Sequence, residues 1–168
     1  MLILGLDPGS LHTGYGLIAC RSGSARTIAA GRWSAPAKMA VADRLRILAD
    51  GLDDLLQRAR PDFAAMEKPF HGVNARSVIV LAEARGALRL TLARAGLRVE
   101  EYSPAEVKSA GSGNGRAEKG EVVRRVGVLL GLAPVDVRGD GLLRRDVGDL
   151  LDADGVEDVV RVELADRR

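Results

Sequence analysis

The sequence predicts an α/β layer fold on a mixed sheet of five strands flanked by helices. Two observations carry the prediction. Three short strand-like runs follow one another at the N-terminus with tight connections, and helix-like and strand-like segments alternate after them. No internal repeat and no linker-like stretch divides the 168 residues, so residues 1–168 are expected to form one domain.

"LILGLD" and "GYGLIAC" are apolar runs separated by "PGSLHT", which reads as strand, turn, strand. "ARTIAAGRWS" is a weaker third strand with Trp33 near its end. Strands joined this closely form an antiparallel meander. "VADRLRILADGLDDLLQRAR" then places Val41, Leu45, Leu48, Leu52, Leu55 and Leu56 on one helical face, with Pro61 just past its end. "DFAAMEK" is a fourth, buried strand. "NARSVIVLAEARGALRLTLARAG" is a long helix that Gly96 terminates. "LRVEEYS" is a fifth strand, and Ser103-Pro104 caps and opens a short helix through Lys108. "SAGSGNG" reads as a glycine-rich loop, and "RAEKGEVVRRVGVLLGL" as another amphipathic helix. Residues 133–168 change character: rich in Asp, Val and Arg, they show no clean apolar stripe and read as helix or coil.

Apolar and charged contents of 46% and 29% are ordinary for a globular protein. No apolar run approaches membrane-spanning length and the N-terminus lacks a signal pattern, so no membrane partner is expected. A lone Cys20 forms no internal disulfide and suits a reducing cytoplasm. His12 and His71 are too few and wrongly spaced for a zinc site. Net charge is +2, but ten acids against six arginines give residues 136–168 a balance of −4, leaving +6 on residues 1–135. A basic body suits an anionic partner such as nucleic acid, although a solvated surface would show the same count.

Asp7 and Glu67 share a position: each ends an apolar strand and precedes a proline-containing turn. Sites in α/β sheets assemble at the carboxyl ends of strands. If the two strands are parallel neighbours, the carboxylates face one another, and like charges that close call for a cation between them. Hard oxygen ligands suit Mg²⁺ or Mn²⁺, ions that drive phosphoryl chemistry. The plain alternative is that Asp7 starts an Asx-turn and Glu67 is a surface strand end. Glycines at 111, 113 and 115 let a main chain lie against a phosphate, with Lys108 and Lys119 on either side; an ordinary connection between helices is the competing reading. Phe70 is one of five aromatic residues and stands three positions past Glu67. It would stack on an unpaired base, or else belong to the core.

In order and approximate spacing, "GLDPGSLHTGYGLI", "PDFAAMEKPFHGVNARS", "LAEARGAL", "YSPAEVK" and "GNGRAEKGEV" resemble the RuvC Holliday-junction resolvases of the RNase H-like nuclease superfamily, over residues 1 to about 132. The resemblance implies an RNase H-like fold, a homodimer formed through the 74–95 helix, and symmetric Mg²⁺-dependent nicking of four-way DNA junctions, with a branch-migration helicase as further partner. By position Asp7 matches the first metal ligand, Glu67 the second, Phe70 the aromatic inserted near the junction point, and Lys108 and Lys119 the functional lysines. Arg76 and Arg116 are expected to join Phe70, Lys108 and Lys119 on DNA. Two ions per site are implied, with Lys119 also stabilising charge on the phosphorane.

The departure is at the C-terminus. The family carries a further acidic cluster, typically Asp-Ala-Ala-Asp-Ala-Leu, at the start of an apolar final helix. Asp140 stands at about the expected distance past Lys119, but the residue three further on is Leu143. "DVGD" supplies Asp146 and Asp149 a few residues late, the pair expected to complete the metal site, and "DLLD" supplies Asp149 and Asp152. The tail has either diverged with an insertion or is not the family's native tail, as a shifted reading frame would leave it. A rival function follows: a junction-binding protein of the same fold that does not cut. A third reading takes "DPGSLHTGYG" as the phosphate-binding hairpin of the actin and hexokinase superfamily, although that fold needs a second such domain.

Overall fold

The computed structural model describes residues 1–68 and 75–113, together with 116, 118, 120, 121, 125, 126 and 128. Its elements are β1 (Leu2–Asp7), β2 (His12–Arg21), β3 (Ser24–Ser34), α1 (Val41–Ala59), β4 (Phe63–Glu67), α2 (Ala75–Arg94), β5 (Val99–Tyr102) and α3 (Pro104–Ser112). The five strands form one sheet in the order β3-β2-β1-β4-β5. β1, β2 and β3 are the antiparallel meander, and β4 and β5 add in parallel on the other side of β1. The sheet is therefore mixed, as the alternation of elements predicts.

Strand periodicity decides which face is core. Leu2, Leu4 and Leu6 of β1 and Ala64 and Met66 of β4 are buried, while the residues between them are only half-covered. From above, α1 contributes Leu48, Leu52, Leu55, Leu56 and Ala59, and α2 contributes Ala84, Leu88 and Leu92, all in one apolar cluster with the strands. The face predicted for α1 is the face it buries. Arg60 then takes a left-handed conformation and Pro61 follows. Gly96, at φ 70°, ends the turn after α2 as expected of a C-terminal glycine. Among the described residues, no helix is long and apolar enough to cross a membrane.

The glycine-rich loop begins later than expected. α3 continues through Ser112, so Gly111 lies within the helix, and Gly113 at φ 73° closes it. A strong start explains the overrun. Ser103 accepts from the Glu106 N–H while the Glu106 carboxylate accepts from the Ser103 N–H, and Pro104 occupies the first turn. One interior glycine costs only about 1 kcal/mol against that. Lys108 consequently stands in the middle of a helix. Beyond it, Gly120, Glu121, Arg125, Val126 and Val128 are helical, within the last amphipathic helix predicted.

Trp33 stacks on Tyr15 with ring centroids 4.5 Å apart, and α1 passes over the indole at Gly51. A Cβ there would lie 2.5 Å from Trp33 Cδ1 and 2.6 Å from Nε1. Alanine gains about 1 kcal/mol in helix propensity, but forcing atoms into a packed contact costs about 1–3 kcal/mol. Gly51→Ala is therefore expected to destabilise the protein by roughly 1 kcal/mol in urea unfolding. A stabilised variant would show that Trp33 swings aside freely.

Candidate active site

β1 and β4 bring Asp7 and Glu67 together. The parallel register pairs Leu6 with Met66, so each acid stands one step beyond a paired position, on neighbouring strands about 4.8 Å apart. Leu6 and Met66 point into the core, and alternation turns both acids to the opposite face. The condition set by the sequence, that the strands be parallel neighbours, is met. Burial pushes the Glu67 carboxyl above its ordinary range and the Asp7 charge pushes it further, while Arg85 and Lys108 pull it back. Two carboxylates on neighbouring strand ends, with the charge of Asp7 acting on Glu67, are a donor set suited to a hard divalent cation. Among the described residues, no third acid or histidine joins them into a cluster of metal-ligating side chains.

The turn after Asp7 is braced from below. Thr13 is fully buried; its hydroxyl donates to the Gly9 carbonyl at 3.1 Å and accepts from the Gly9 N–H at 3.4 Å. A side chain on Gly9 would place Cβ 2.2 Å from the His12 carbonyl oxygen, so only glycine lets the hairpin close. Asp7 thus leaves a strand whose continuation is fixed. Lys108 approaches from α3, near enough for its charge to act on Glu67. Tyr102, paired with Glu67 in the β4–β5 register, is exposed.

Of the residues singled out in the sequence, Asp7, Glu67 and Lys108 are therefore gathered at one end of the sheet. Arg76, in the first turn of α2, and Arg116 are exposed. Phe70, Lys119, Asp140, Asp146, Asp149 and Asp152 lie outside the described residues. Sequence reasoning passed over Arg85. On α2 it is buried, and it donates to the Glu67 main-chain carbonyl and to Glu101 Oε1, the latter at 2.7 Å. The available signal was its position: Arg85 falls between Ala84 and Leu88 on the inward side of the helix.

A mixed sheet in this order, with its meander followed by parallel strands, has the architecture of the RNase H-like nucleases, and it carries an acid at the ends of the two strands β1 and β4. The chain belongs to the crossover junction endodeoxyribonuclease RuvC family, whose model matches residues 3–138. It is 47% identical over 134 residues to the crossover junction endodeoxyribonuclease RuvC of Anaeromyxobacter dehalogenans strain 2CP-C, covering 80% of this chain and 72% of that protein. The enzyme of that name from Frankia alni is 46% identical over 136 residues, covering 80% and 69%. Among solved structures, Thermus thermophilus RuvC in complex with Holliday junction substrate superposes with a TM-score of 0.77 at 25% identity, covering 98% of this chain and 96% of that one. The family match ends before Asp146 and Asp149. Membership sets aside the reading as half of a two-domain actin-like or hexokinase-like fold.

Proposed function

We propose that this chain is a structure-selective endodeoxyribonuclease that resolves four-way DNA junctions by symmetric, divalent-metal-dependent phosphodiester hydrolysis. The observation that carries the reading is the Asp7–Glu67 pair at adjoining parallel strand ends, in a chain 47% identical over 134 residues to a crossover junction endodeoxyribonuclease. Asp7 and Glu67 would hold Mg²⁺ or Mn²⁺, with the tail acids Asp146 and Asp149 as the remaining candidates for a two-ion site. Such ions, when bound, activate water and neutralise charge on the leaving oxygen. Lys108 offsets negative charge beside Glu67, and Lys119 is proposed to act on the phosphate. Phe70, Arg76 and Arg116 would contact DNA, Phe70 by stacking on an opened base.

The outer side of α2 supports the homodimer. Val78, Ile79 and Leu90 are 39%, 60% and 52% exposed, on a stripe that also includes Ala82, Gly86 and Ala93. A junction has two symmetric strands to cut, and a two-fold dimer presents two sites to them. We assign this work to the cytoplasm, alongside a branch-migration helicase.

Incubating a synthetic four-way junction with the protein, with and without Mg²⁺, tests the reading. Paired nicks symmetric about the branch point, only with the ion, are the expected result. Tight junction binding without cleavage in Mg²⁺ or Mn²⁺ would overturn it in favour of a binding protein of the same fold.

A further inference from the structure

The Arg85 side chain is 8% exposed, which makes it the most deeply withdrawn charge among the ion pairs described. A buried guanidinium persists only with its donors satisfied. Its Nη1 donates to the main-chain carbonyl of Glu67 and its Nη2 to Glu101 Oε1. Arg89, one turn along α2, reaches the same Glu101 oxygen at 3.5 Å. One planar fork from a helix therefore grips two adjacent strands.

The place it grips is where pairing between β1 and β4 stops, while β5 still pairs Tyr102 with Glu67 on the other side. The register between β1 and β4 ends at Leu6 and Met66, leaving Glu67 beyond it. The peptide that follows Glu67 is fixed at both of its polar atoms: Arg85 takes the Glu67 carbonyl, and the Lys68 N–H donates to the Tyr102 carbonyl at 2.7 Å. That peptide sets the direction of the Glu67 side chain. Glu101 is not a third member of the acidic pair. It is in register with Met66, on the core face under α2, whereas Asp7 and Glu67 point the other way. Stability alone does not call for this arrangement, because an apolar side chain of similar volume commonly replaces a buried ion pair without loss. What an apolar side chain does not supply is a rigid pair of donors spanning two acceptors.

We propose that Arg85 is a positioning residue of the nuclease site: anchored by Glu101, it holds the main chain at Glu67 so that the Glu67 carboxylate stands beside Asp7 in the geometry a divalent ion requires. This rests on the nuclease reading above. The test uses the full chain carrying Arg85→Met, Arg85→Lys, or Arg85→Met with Glu101→Gln, the double change removing the carboxylate that methionine would strand. Thermal midpoint, Mn²⁺ affinity by calorimetry on the DNA-free protein, metal-free junction affinity and single-turnover cleavage are measured on each.

Arg85→Met is expected to bind Mn²⁺ about tenfold more weakly and cleave about 100-fold more slowly. Junction affinity is expected to stay within about twofold, because Arg85 faces the core rather than DNA. The double variant should recover the wild-type midpoint while Mn²⁺ affinity and rate stay low. Arg85→Lys, with one point charge in place of the fork, should also lose Mn²⁺ affinity. Wild-type Mn²⁺ affinity in the double variant or in Arg85→Lys would overturn the proposal and leave Arg85 a fold-stabilising residue. Should Arg85→Met not fold, these two variants decide alone. Absence of cleavage by the unsubstituted protein would fail the nuclease reading instead, while the Mn²⁺ comparison would still decide the role of Arg85.

Discussion

Asp7→Asn is expected to lower junction cleavage by at least about 10³-fold, the rate equivalent of losing several kcal/mol of metal-derived stabilisation, while the fold and junction binding survive. Asparagine keeps the shape and removes the charge. Asp7 is exposed and outside the apolar cluster, and its main chain is held by pairing with Gly14 in β2. The next residues are fixed independently by Thr13 and Gly9. Little of the fold depends on the carboxylate, so an inactive variant should be a well-folded one.

The same substitution carries a signature in stability. Burial and the Asp7 charge raise the Glu67 carboxyl above the ordinary carboxylate range. A carboxyl raised by folding contributes stability that is fully present below the unfolded value and is lost as pH rises through the folded one. Removing Asp7 removes part of the elevation, so less stability is lost on that rise. Without metal, Asp7→Asn is therefore expected to melt above the wild type once pH exceeds the Glu67 titration, and to converge with it in acid. Adding Mg²⁺ at neutral pH should reverse the order by stabilising the wild type. Thermal melts from pH 4 to 8, with and without Mg²⁺, check this. Unchanged cleavage by the variant would remove Asp7 from the site, and a metal-free gap of constant size would remove its charge from the environment of Glu67.

How far these residues were readable in advance follows from which interactions place them. Asp7 and Glu67 stand out because strand periodicity and proline turns are local, and both acids sit where those signals end. That they are neighbours depends on β4 lying beside β1 and parallel to it, a long-range pairing that strand signals alone leave conditional. α1 was legible because its apolar residues occupy one side; α2 is apolar on two, one facing α1 and the sheet, the other outward. Arg85 was hidden for that reason. A helical arginine reads as solvated, and nothing in its immediate neighbours reveals that the inner face of α2 meets the ends of β4 and β5. The overrun of α3 is the opposite case: three glycines outweighed a capping box whose strength lies in side-chain geometry.

The second large effect expected is on assembly. If the proposed homodimer forms through α2, Ile79→Asp with Leu90→Asp should convert it into a well-folded monomer. Both side chains point outward, so the apolar cluster under α2 is untouched and the thermal midpoint of the monomer should fall little. Gly86 lies between them on the stripe, with open space where a Cβ would stand. A second helix can approach closely there, and a two-fold axis near Gly86 would leave one large apolar residue on each side of it. Each aspartate would then be buried without a partner, at a cost of about 3 kcal/mol or more, or over a hundredfold in dimer Kd. Light scattering reads the change directly. Cleavage reads it a second way, since separating a junction into two duplexes takes two cuts. The wild type should release paired linear products, and the monomer should accumulate singly nicked junctions or none. A double variant that remains dimeric and keeps paired cutting would move the interface away from α2.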